Sequence, residues 1–466
     1  MAKHSTKHHM LQAAAFLLFC FLILSMYIVY LQVVVADGLK RNGLNRRTTF
    51  SETSVLRGTI LDAEGRALAQ STLHGSRSYP MGEALSAVTG YYDEAVGCAG
   101  IESYANRSLL GITEEMENMG PVTQLFLADR GNDVLLTIDA DAQQAAYDGL
   151  AGRRGAAVVL DAETGAVIAL VSSPSFDPNT ISANWDILRT REDSPLLNRA
   201  LQGLYPPGST IKPMIVDIAL ENEATNENEL FECDGALEVG GGHTIKESHE
   251  EVHGKLHLNQ ALVRSCNVTF GTLAMRLGQT KLSKGFERFG FDKPLENELN
   301  EVSSRMPEFS SLEQGDIAQI GIGQSTLLVT PFRMAILAAA MANDGVVMKP
   351  YMIQQITSPQ GIVLKQGSPE KWFDATVPER AHLIDGWMEE VVVKGTGTEA
   401  KVSGVRVTGK TGTAENSGGK DHAWFIGSAL IGKRKIVFSV IVENSGGGGE
   451  EAAPIARKIV LSLDKS

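Results

Sequence analysis

The sequence feature that most constrains the fold is an uncharged, apolar run near the N-terminus. No Asp, Glu, Lys or Arg stands between Leu11 and Ala36. About 20 apolar residues are enough for a helix to cross a bilayer, so the run predicts a transmembrane anchor over residues 11–36. A cleaved signal peptide is the competing interpretation, but its apolar core is usually about 7–15 residues long. The greater length of this run favours an uncleaved anchor.

The flanking charges give a weak indication of orientation. Lys3 and Lys7 precede the run, and Asp37 follows it at once. Because no second apolar run would return the chain, we expect residues 1–10 to form a cytoplasmic tail. The remaining domains would then lie outside a bacterial cytoplasmic membrane.

The composition beyond this run is that of a globular protein, and 466 residues allow two or three domains. A formal net charge of −13 argues against a nucleic-acid partner, which would require a basic face. The four cysteines (Cys20, Cys98, Cys233 and Cys266) form no CxxC pair, so neither a zinc knuckle nor a disulfide framework is predicted. A single bridge between Cys98 and Cys233 is left open.

Residues 37–131 are mixed and turn-rich, and they predict a small α+β module close to the membrane. Residues 132–466 predict a larger domain of strands, then helices, then strands. Its expected elements are a hairpin at 155–173, helices at 259–278, 330–345 and 454–463, and strands at 405–415, 422–432 and 435–445. This order favours an α+β architecture with an antiparallel sheet flanked by helices. The glycine run Gly446–Gly449 is expected to form a flexible loop.

A candidate nucleophile stands at the start of a predicted helix. Ser209 and Lys212 are three residues apart, so one helical face can bring the hydroxyl and the amine together. Pro213 is tolerated in a first turn, where backbone N–H groups are free to face an anion. A lysine that loses water can act as a base toward such a serine. Alone, the pattern also fits an ordinary helix start with a solvated lysine.

Two further motifs make the pattern specific. Ser265-Cys266-Asn267 follows in a helix–loop region, and Lys410-Thr411-Gly412-Thr413 follows on a predicted strand. SxxK, SxN and KTG in this order are the signature of penicillin-recognising serine enzymes.

With these motifs the sequence resembles the class B, monofunctional penicillin-binding proteins over most of its length. Other matching segments are Arg57–Asp62, Gly97–Glu102 with Tyr104, Leu136–Asp139, Asn198–Ala200, and Gly321–Gln324 before Thr330-Pro331. The short membrane-proximal module is similar to that of the compact penicillin-binding protein A type, and no segment resembles a glycosyltransferase. The resemblance implies a penicillin-binding/serine transpeptidase fold, with residues 37–131 as a pedestal or dimerisation-like module and 132–466 as the transpeptidase domain.

The resemblance also implies a function, a D,D-transpeptidase that cross-links peptidoglycan stem peptides and is acylated by β-lactams. Ser209 would attack the penultimate D-Ala carbonyl and Lys212 would take its proton. Ser265 would relay a proton to the leaving amine, and Asn267 would bind the donor peptide. Cys266 is interpreted as small packing.

On the predicted strand, Lys410 is expected to be catalytic, with Thr411, Gly412 and Thr413 as substrate-binding residues that hold the terminal carboxylate. The backbone N–H groups of Ser209 and Thr413 would form the oxyanion hole. No cofactor and no metal are expected. The implied partner is a membrane-embedded glycan polymerase of the cell-shape or division family.

Other patterns in the sequence, and the same fold without transpeptidase activity, give alternative functions. His249–His253 matches HExxH, with His243 or His257 as a third ligand, but the neighbouring glycines favour a polar turn over a zinc-protease helix. Glu296–Asn300 matches the segment that carries the deacylating glutamate of some β-lactamases, so a membrane-anchored β-lactamase is one alternative function. A non-catalytic β-lactam sensor or scaffold is the other. The pair Gly321 and Gly323 lacks the surroundings of a dinucleotide site.

Overall fold

The computed structural model describes residues 2–30, 55–72, 76–112, 129–240, 244–416 and 418–464. Helix α1 (Ala2–Tyr30) contains a segment, His8–Tyr30, that is long and apolar enough to cross a membrane. The helix begins inside the predicted tail rather than at Leu11. The C-terminal part of the predicted anchor, residues 31–36, lies outside the described residues.

The remaining elements alternate between helices and strands. The helices are α2 (Ser86–Thr89), α3 (Gly100–Tyr104), α4 (Asn106–Leu109), α5 (Ala140–Leu150), α6 (Ile181–Leu188), α7 (Arg199–Gln202), α8 (Lys212–Glu221), α9 (Leu258–Arg264), α10 (Asn267–Arg288), α11 (Gln314–Gly321), α12 (Pro331–Ala342), α13 (Pro378–Lys394), α14 (Gly448–Glu451) and α15 (Ala453–Leu463). The strands are β1 (Ile60–Leu61), β2 (Ala67–Ser71), β3 (Arg77–Ser78), β4 (Tyr92–Asp93), β5 (Gly97–Cys98), β6 (Asp133–Leu136), β7 (Gly155–Asp161), β8 (Val167–Ser173), β9 (Leu230–Cys233), β10 (Ala236–Glu238), β11 (Thr244–Lys246), β12 (Gly254–His257), β13 (Val346–Met348), β14 (Ile353–Thr357), β15 (Val363–Gln366), β16 (Lys371–Asp374), β17 (Arg406–Ala414), β18 (His422–Ile431) and β19 (Arg434–Val442).

A five-stranded antiparallel sheet, in the order β17-β18-β19-β7-β8, forms the centre of the larger domain. Alternate residues of β7 enter different cores, with Val158 on one face and Val159 on the other. Every residue of β7 and β8 is buried, because both faces of the sheet are covered. The predicted hairpin and the antiparallel sheet are therefore confirmed.

Helices cover the two faces of this sheet. Leu150 of α5 and Ile455 of α15 belong to the core on one face. Met214 of α8 and Ile336 of α12 belong to the core on the other face. Thr210, in the turn that leads into α8, lies close to Gly412 of β17, the edge strand of the sheet.

The part of the chain before residue 131 shares a second sheet with the larger domain, in the order β15-β14-β6-β1-β2-β3. Its parallel pair β1–β6 joins strands from the two sides of the predicted boundary after residue 131. Within this part, buried Glu102 accepts hydrogen bonds from Arg57 Nε at 2.7 Å and Arg77 Nε at 2.6 Å. Burial raises the pKa of Glu102, but the two guanidinium groups outweigh that effect and lower it. Two of the segments noted in the sequence, around Arg57 and around Glu102, thus meet in one ion cluster.

Two expectations about local structure are wrong. The helix predicted over residues 259–278 is broken into α9 and α10, because Ser265 between them has a φ of 61°. The glycine run is not simply a loop, since Gly448 and Gly449 begin α14 and pack closely on the central sheet.

Candidate active site

Ser209 lies in a short 3-10 turn, Gly208–Ile211, that leads directly into α8. Gly208 has a φ of 54°, and its N–H donates to the carbonyl of Gly323 at 2.9 Å. A Cβ on Gly323 would lie 2.0 Å from the Gly208 oxygen, so only glycine fits there. Gly321–Gly323 therefore supports the nucleophile turn, which is a role that the sequence analysis did not assign to it.

Lys212 is completely buried beneath this turn. Its Nζ donates to the Ser265 carbonyl at 2.6 Å, to Ser265 Oγ at 3.3 Å and to Asn267 Oδ1 at 2.8 Å. Burial lowers the pKa of Lys212 to about 8, although the nearby Glu247 and Cys266 oppose the shift. The amine is therefore close to losing its proton at neutral pH, as a general base requires.

The SxN motif forms the break between α9 and α10. Positive φ at Ser265 turns both its hydroxyl and its carbonyl toward Lys212. Glu247 fixes the next turn, because its Oε2 accepts the Asn267 N–H at 2.9 Å and its Oε1 accepts the Val268 N–H at 2.8 Å. These bonds lower the pKa of Glu247 against the opposing effect of burial. Glu247 belongs to no sequence motif, so its role could not be predicted.

The Lys410–Thr413 segment lies on β17, whose free edge faces the nucleophile turn. A Cβ on Gly412 would lie 2.8 Å from Thr210 Cγ2, so this glycine allows the strand and the turn to meet. Lys410 is fully buried and donates to the Thr411 carbonyl at 3.0 Å. Burial, together with the charge of Lys212, holds the pKa of Lys410 well below that of an ordinary lysine.

Elements behind β17 hold it in place. A Cβ on Gly448 would lie 2.1 Å from the Trp424 oxygen and 2.4 Å from the Gly412 oxygen. The hydroxyls of Thr396 and Thr411 are 2.5 Å apart. Neither Thr396 nor the α14 glycines stand out in the sequence, because their contacts depend on the approach of distant segments.

A cleft of about 1120 Å³ runs between these elements. The predicted site residues that line it are Ser209, Ser265, Asn267, Thr411 and Thr413. The two lysines and Gly412 are buried in its wall, where they contact the lining residues. The structure therefore brings all eight predicted site residues to one place.

Neither competing motif forms the site that its pattern predicts, although Glu251 and His253 of the HExxH pattern line the cleft. Glu296–Asn300 lines a different cavity, and Glu298 accepts the N–H groups of Met352 and Ile353. The sequence around the HExxH pattern forms only a three-residue 3-10 helix, Ser248–Glu250, which cannot place two histidines on one helical face. His243 and the side chain of His249 lie outside the described residues.

The arrangement can transfer an acyl group. Ser209 lies in the turn that leads into α8, three residues before the desolvated Lys212. The edge strand β17 offers free backbone groups to an extended peptide, so serine nucleophile, base and substrate strand are close together. Fold and site together define a serine enzyme of the penicillin-recognising class.

Comparison with known proteins places the chain within that class. Residues 155–461 match the penicillin-binding protein transpeptidase domain, and residues 57–129 match the penicillin-binding protein A dimerisation domain. The chain belongs to the penicillin-binding protein family, in its class B transpeptidase branch.

Individual relatives agree over nearly the whole length. Peptidoglycan D,D-transpeptidase PbpA of Mycolicibacterium smegmatis is 32% identical over 92% of this chain and 94% of that protein. The imipenem acyl-enzyme of penicillin-binding protein A from M. tuberculosis superposes with a TM-score of 0.81 at 29% identity, covering 88% of this chain and 99% of that one. The D,D-transpeptidase domain of a peptidoglycan glycosyltransferase from Eggerthella lenta gives a TM-score of 0.79 at 33% identity, covering 88% and 98%.

Proposed function

We propose that this protein is a peptidoglycan D,D-transpeptidase that cross-links stem peptides through an ester on Ser209. The observation that carries the proposal is the buried Lys212, which joins the nucleophile turn to Ser265 and Asn267 at one end of the cleft. Relatives named peptidoglycan D,D-transpeptidase, and an acyl-enzyme of one of them, support it.

In the acylation step, Ser209 Oγ attacks the carbonyl of the penultimate D-Ala while Lys212, in its neutral form, takes the hydroxyl proton. The tetrahedral oxyanion is stabilised by the N–H groups of Ser209 and Thr413, each worth about 10²- to 10³-fold in rate. The tetrahedral intermediate then collapses and its C–N bond breaks. The proton passes from Lys212 through Ser265 to the departing amine of D-Ala. The amine of a second stem peptide then attacks the ester and restores Ser209.

Substrate is held along β17. Lys410, Thr411 and Thr413 bind the terminal carboxylate, and Gly412 allows the strand to approach the nucleophile turn. Asn267 binds the amide of the donor peptide and also steadies Lys212. A β-lactam carries a carboxylate and a strained amide, so it occupies the same groups and acylates Ser209.

We place the chain in the membrane as a single-pass protein with its N-terminus inside, the module of residues 37–131 next to the membrane and the transpeptidase domain of 132–466 outside. The apolar helix α1 supports the anchor. A membrane-embedded glycan polymerase is the proposed partner, because a cross-linking enzyme needs newly made strands nearby. Co-purification with such a polymerase should be lost when residues 37–131 are exchanged for an unrelated module; unchanged co-purification would remove the module from this role.

The test is the intact mass of the full-length protein in detergent, incubated with benzylpenicillin and followed over hours. We expect a stable one-to-one adduct on Ser209 that is absent in Ser209→Ala. Ser248→Ala, which changes another serine of the cleft, should keep it. An adduct that clears within seconds would identify a β-lactamase, and the lack of any adduct in folded protein would favour a sensor or scaffold.

A further inference from the structure

A second group of reactive side chains lies directly behind the SxN motif. Four ligand atoms from separate segments come within 4.8 Å of one another, contributed by Cys233, Glu247, His253 and Cys266. We propose that this four-ligand cluster is a structural zinc site that holds the Ser265–Asn267 turn against the active-site lysine.

Four of the six ligand-to-ligand distances in the cluster are close to the edges of a zinc tetrahedron. Ligands at about 2.0–2.3 Å from zinc lie about 3.3–3.8 Å from one another. Glu247 Oε1 lies 3.4 Å from Cys233 Sγ, 3.0 Å from Cys266 Sγ and 3.8 Å from His253 Nδ1. Cys233 Sγ lies 3.6 Å from the same imidazole nitrogen. The two remaining pairs, Cys266 with Cys233 and Cys266 with His253, have ligand atoms within 4.8 Å of each other, so small side-chain movements would bring all four ligands to an ion.

The ligand chemistry selects zinc. Two thiols and an imidazole are soft or borderline donors, which favour zinc over calcium or magnesium. Both cysteines are fully buried, and the side chains of His253 and Glu247 are only 4% and 2% exposed. Four protein ligands leave no open position, so the site is structural rather than hydrolytic. Binding releases the two thiol protons, and the resulting thiolates offset the charge of the ion.

Neighbouring groups already orient the ligands. His253 Nε2 lies 3.2 Å from Glu251 Oε2, an arrangement that directs Nδ1 toward the cluster. The ring nitrogen of a metal-binding histidine that does not face the metal commonly donates its hydrogen to a carboxylate. Glu247 is fixed by the N–H groups of Asn267 and Val268, so its carboxylate does not have to be ordered when the ion binds.

The position of the cluster explains what the ion would do. Among the described residues between Cys233 and His253, the regular elements are the short strands β10 and β11 and one 3-10 turn, and most of these residues are exposed. Cys266 is the N-cap of α10, and the residues on either side of it are those that contact Lys212. Zinc would join this sparse segment to the turn that carries Ser265 and Asn267.

The proposal changes two expectations from the sequence. Cys266 was given a packing role and no metal was expected, because the ligands are widely spaced and form no CxxC pair. His253 belongs to the HExxH pattern, but it contributes to a site of different composition and purpose. Cys233 has a free, buried thiol, so it is available as a ligand rather than bridged to Cys98.

The first test is the metal content of the full-length protein, purified in detergent without added metal. We expect about one zinc ion per chain, which His253→Gln and Cys233→Ser should remove and His382→Gln, an exposed histidine elsewhere, should keep. Cobalt exchange should give thiolate-to-cobalt charge transfer in the wild type. Ser209→Ala should retain zinc, which separates this proposal from the proposed reaction.

The second test avoids variants that fail to fold. Chelator treatment of the wild type should slow acylation by benzylpenicillin about 10- to 100-fold, and zinc but not magnesium should restore the rate. Folded protein that neither contains nor takes up zinc would overturn the proposal, as would a Cys233–Cys266 disulfide in peptide mapping. Bound zinc whose removal leaves acylation unchanged would overturn the positioning role.

Discussion

The pH dependence of acylation follows from the burial of Lys212. A pKa of about 8 leaves about a tenth of the amine neutral at pH 7 and about nine tenths neutral at pH 9. Because only the neutral amine can accept the serine proton, the acylation rate should rise about 10-fold over this range and then level off. With the ordinary lysine pKa of 10.5, the neutral fraction at pH 7 would be about 300-fold smaller, equivalent to about 3 kcal/mol.

The assay is the second-order rate of adduct formation with a fluorescent penicillin, measured at short times across about pH 6 to about pH 10. Lys212→Arg keeps the positive charge but cannot lose its proton, so it should lower the rate about 10²- to 10⁴-fold and abolish the rising limb. Lys246→Met, an exposed lysine of the same cleft, is the control and should keep the wild-type profile.

A flat profile, or a midpoint near the ordinary lysine pKa, would refute the role of burial at this site. Loss of the proton from Lys410 should lower the acylation rate, because Lys410 must be charged to hold a carboxylate. Burial makes Lys410 lose this proton more easily. Any fall in rate at high pH should therefore disappear in Lys410→Arg, which remains charged.

Two further predictions test packing. Gly448→Ala should slow acylation about 10- to 100-fold, because the added Cβ pushes β17 away from its position. Gly447→Ala is the control, since open space surrounds Gly447, and it should not slow acylation. Equal acylation rates for the two variants would show that α14 does not support the strand. Glu102→Gln should lower the free energy of unfolding by about 3–5 kcal/mol and reduce Tm, and the exposed Glu94→Gln should have little effect. Because the pKa of Glu102 is depressed in the folded protein, the ionised carboxylate stabilises the fold at pH values above the ordinary carboxyl pKa. This stabilisation is lost as the pH falls through the depressed pKa. A Tm difference between wild type and Glu102→Gln that does not change in acid would contradict this.

Features encoded by nearby residues could be predicted from the sequence. Ser209 and Lys212 are three residues apart at a helix start, and the hairpin of β7 and β8 is joined by a short turn, so local patterns were sufficient. The break at Ser265 was missed because apolar periodicity continues on both sides of it. Only its backbone conformation, which a pattern of side chains does not reveal, ends the helix there.

Features that depend on distant segments could not be predicted. The glycine composition of residues 446–449 suggests flexibility, but the backbone of Trp424 passes so close to Gly448 that a glycine is required. The burial that lowers the pKa of Lys212 has no sequence signal either. The four-ligand cluster could not be predicted either, because its members become neighbours only when β9, β12 and α10 have assembled.

The pairing of β7 with β19 has a consequence for the biosynthesis of this enzyme. Gly155 pairs with Val442, so the middle of the central sheet cannot close until nearly the entire chain has been made. The chain emerges from the ribosome N-terminus first, and long-range pairing of this kind is slow. Ser209 and Lys212 are thus synthesised long before β17, and a nascent or truncated chain should carry the nucleophile but not yet react with penicillin. Reactivity with penicillin then indicates that folding is complete, and it distinguishes the folded enzyme from chains that are still being synthesised.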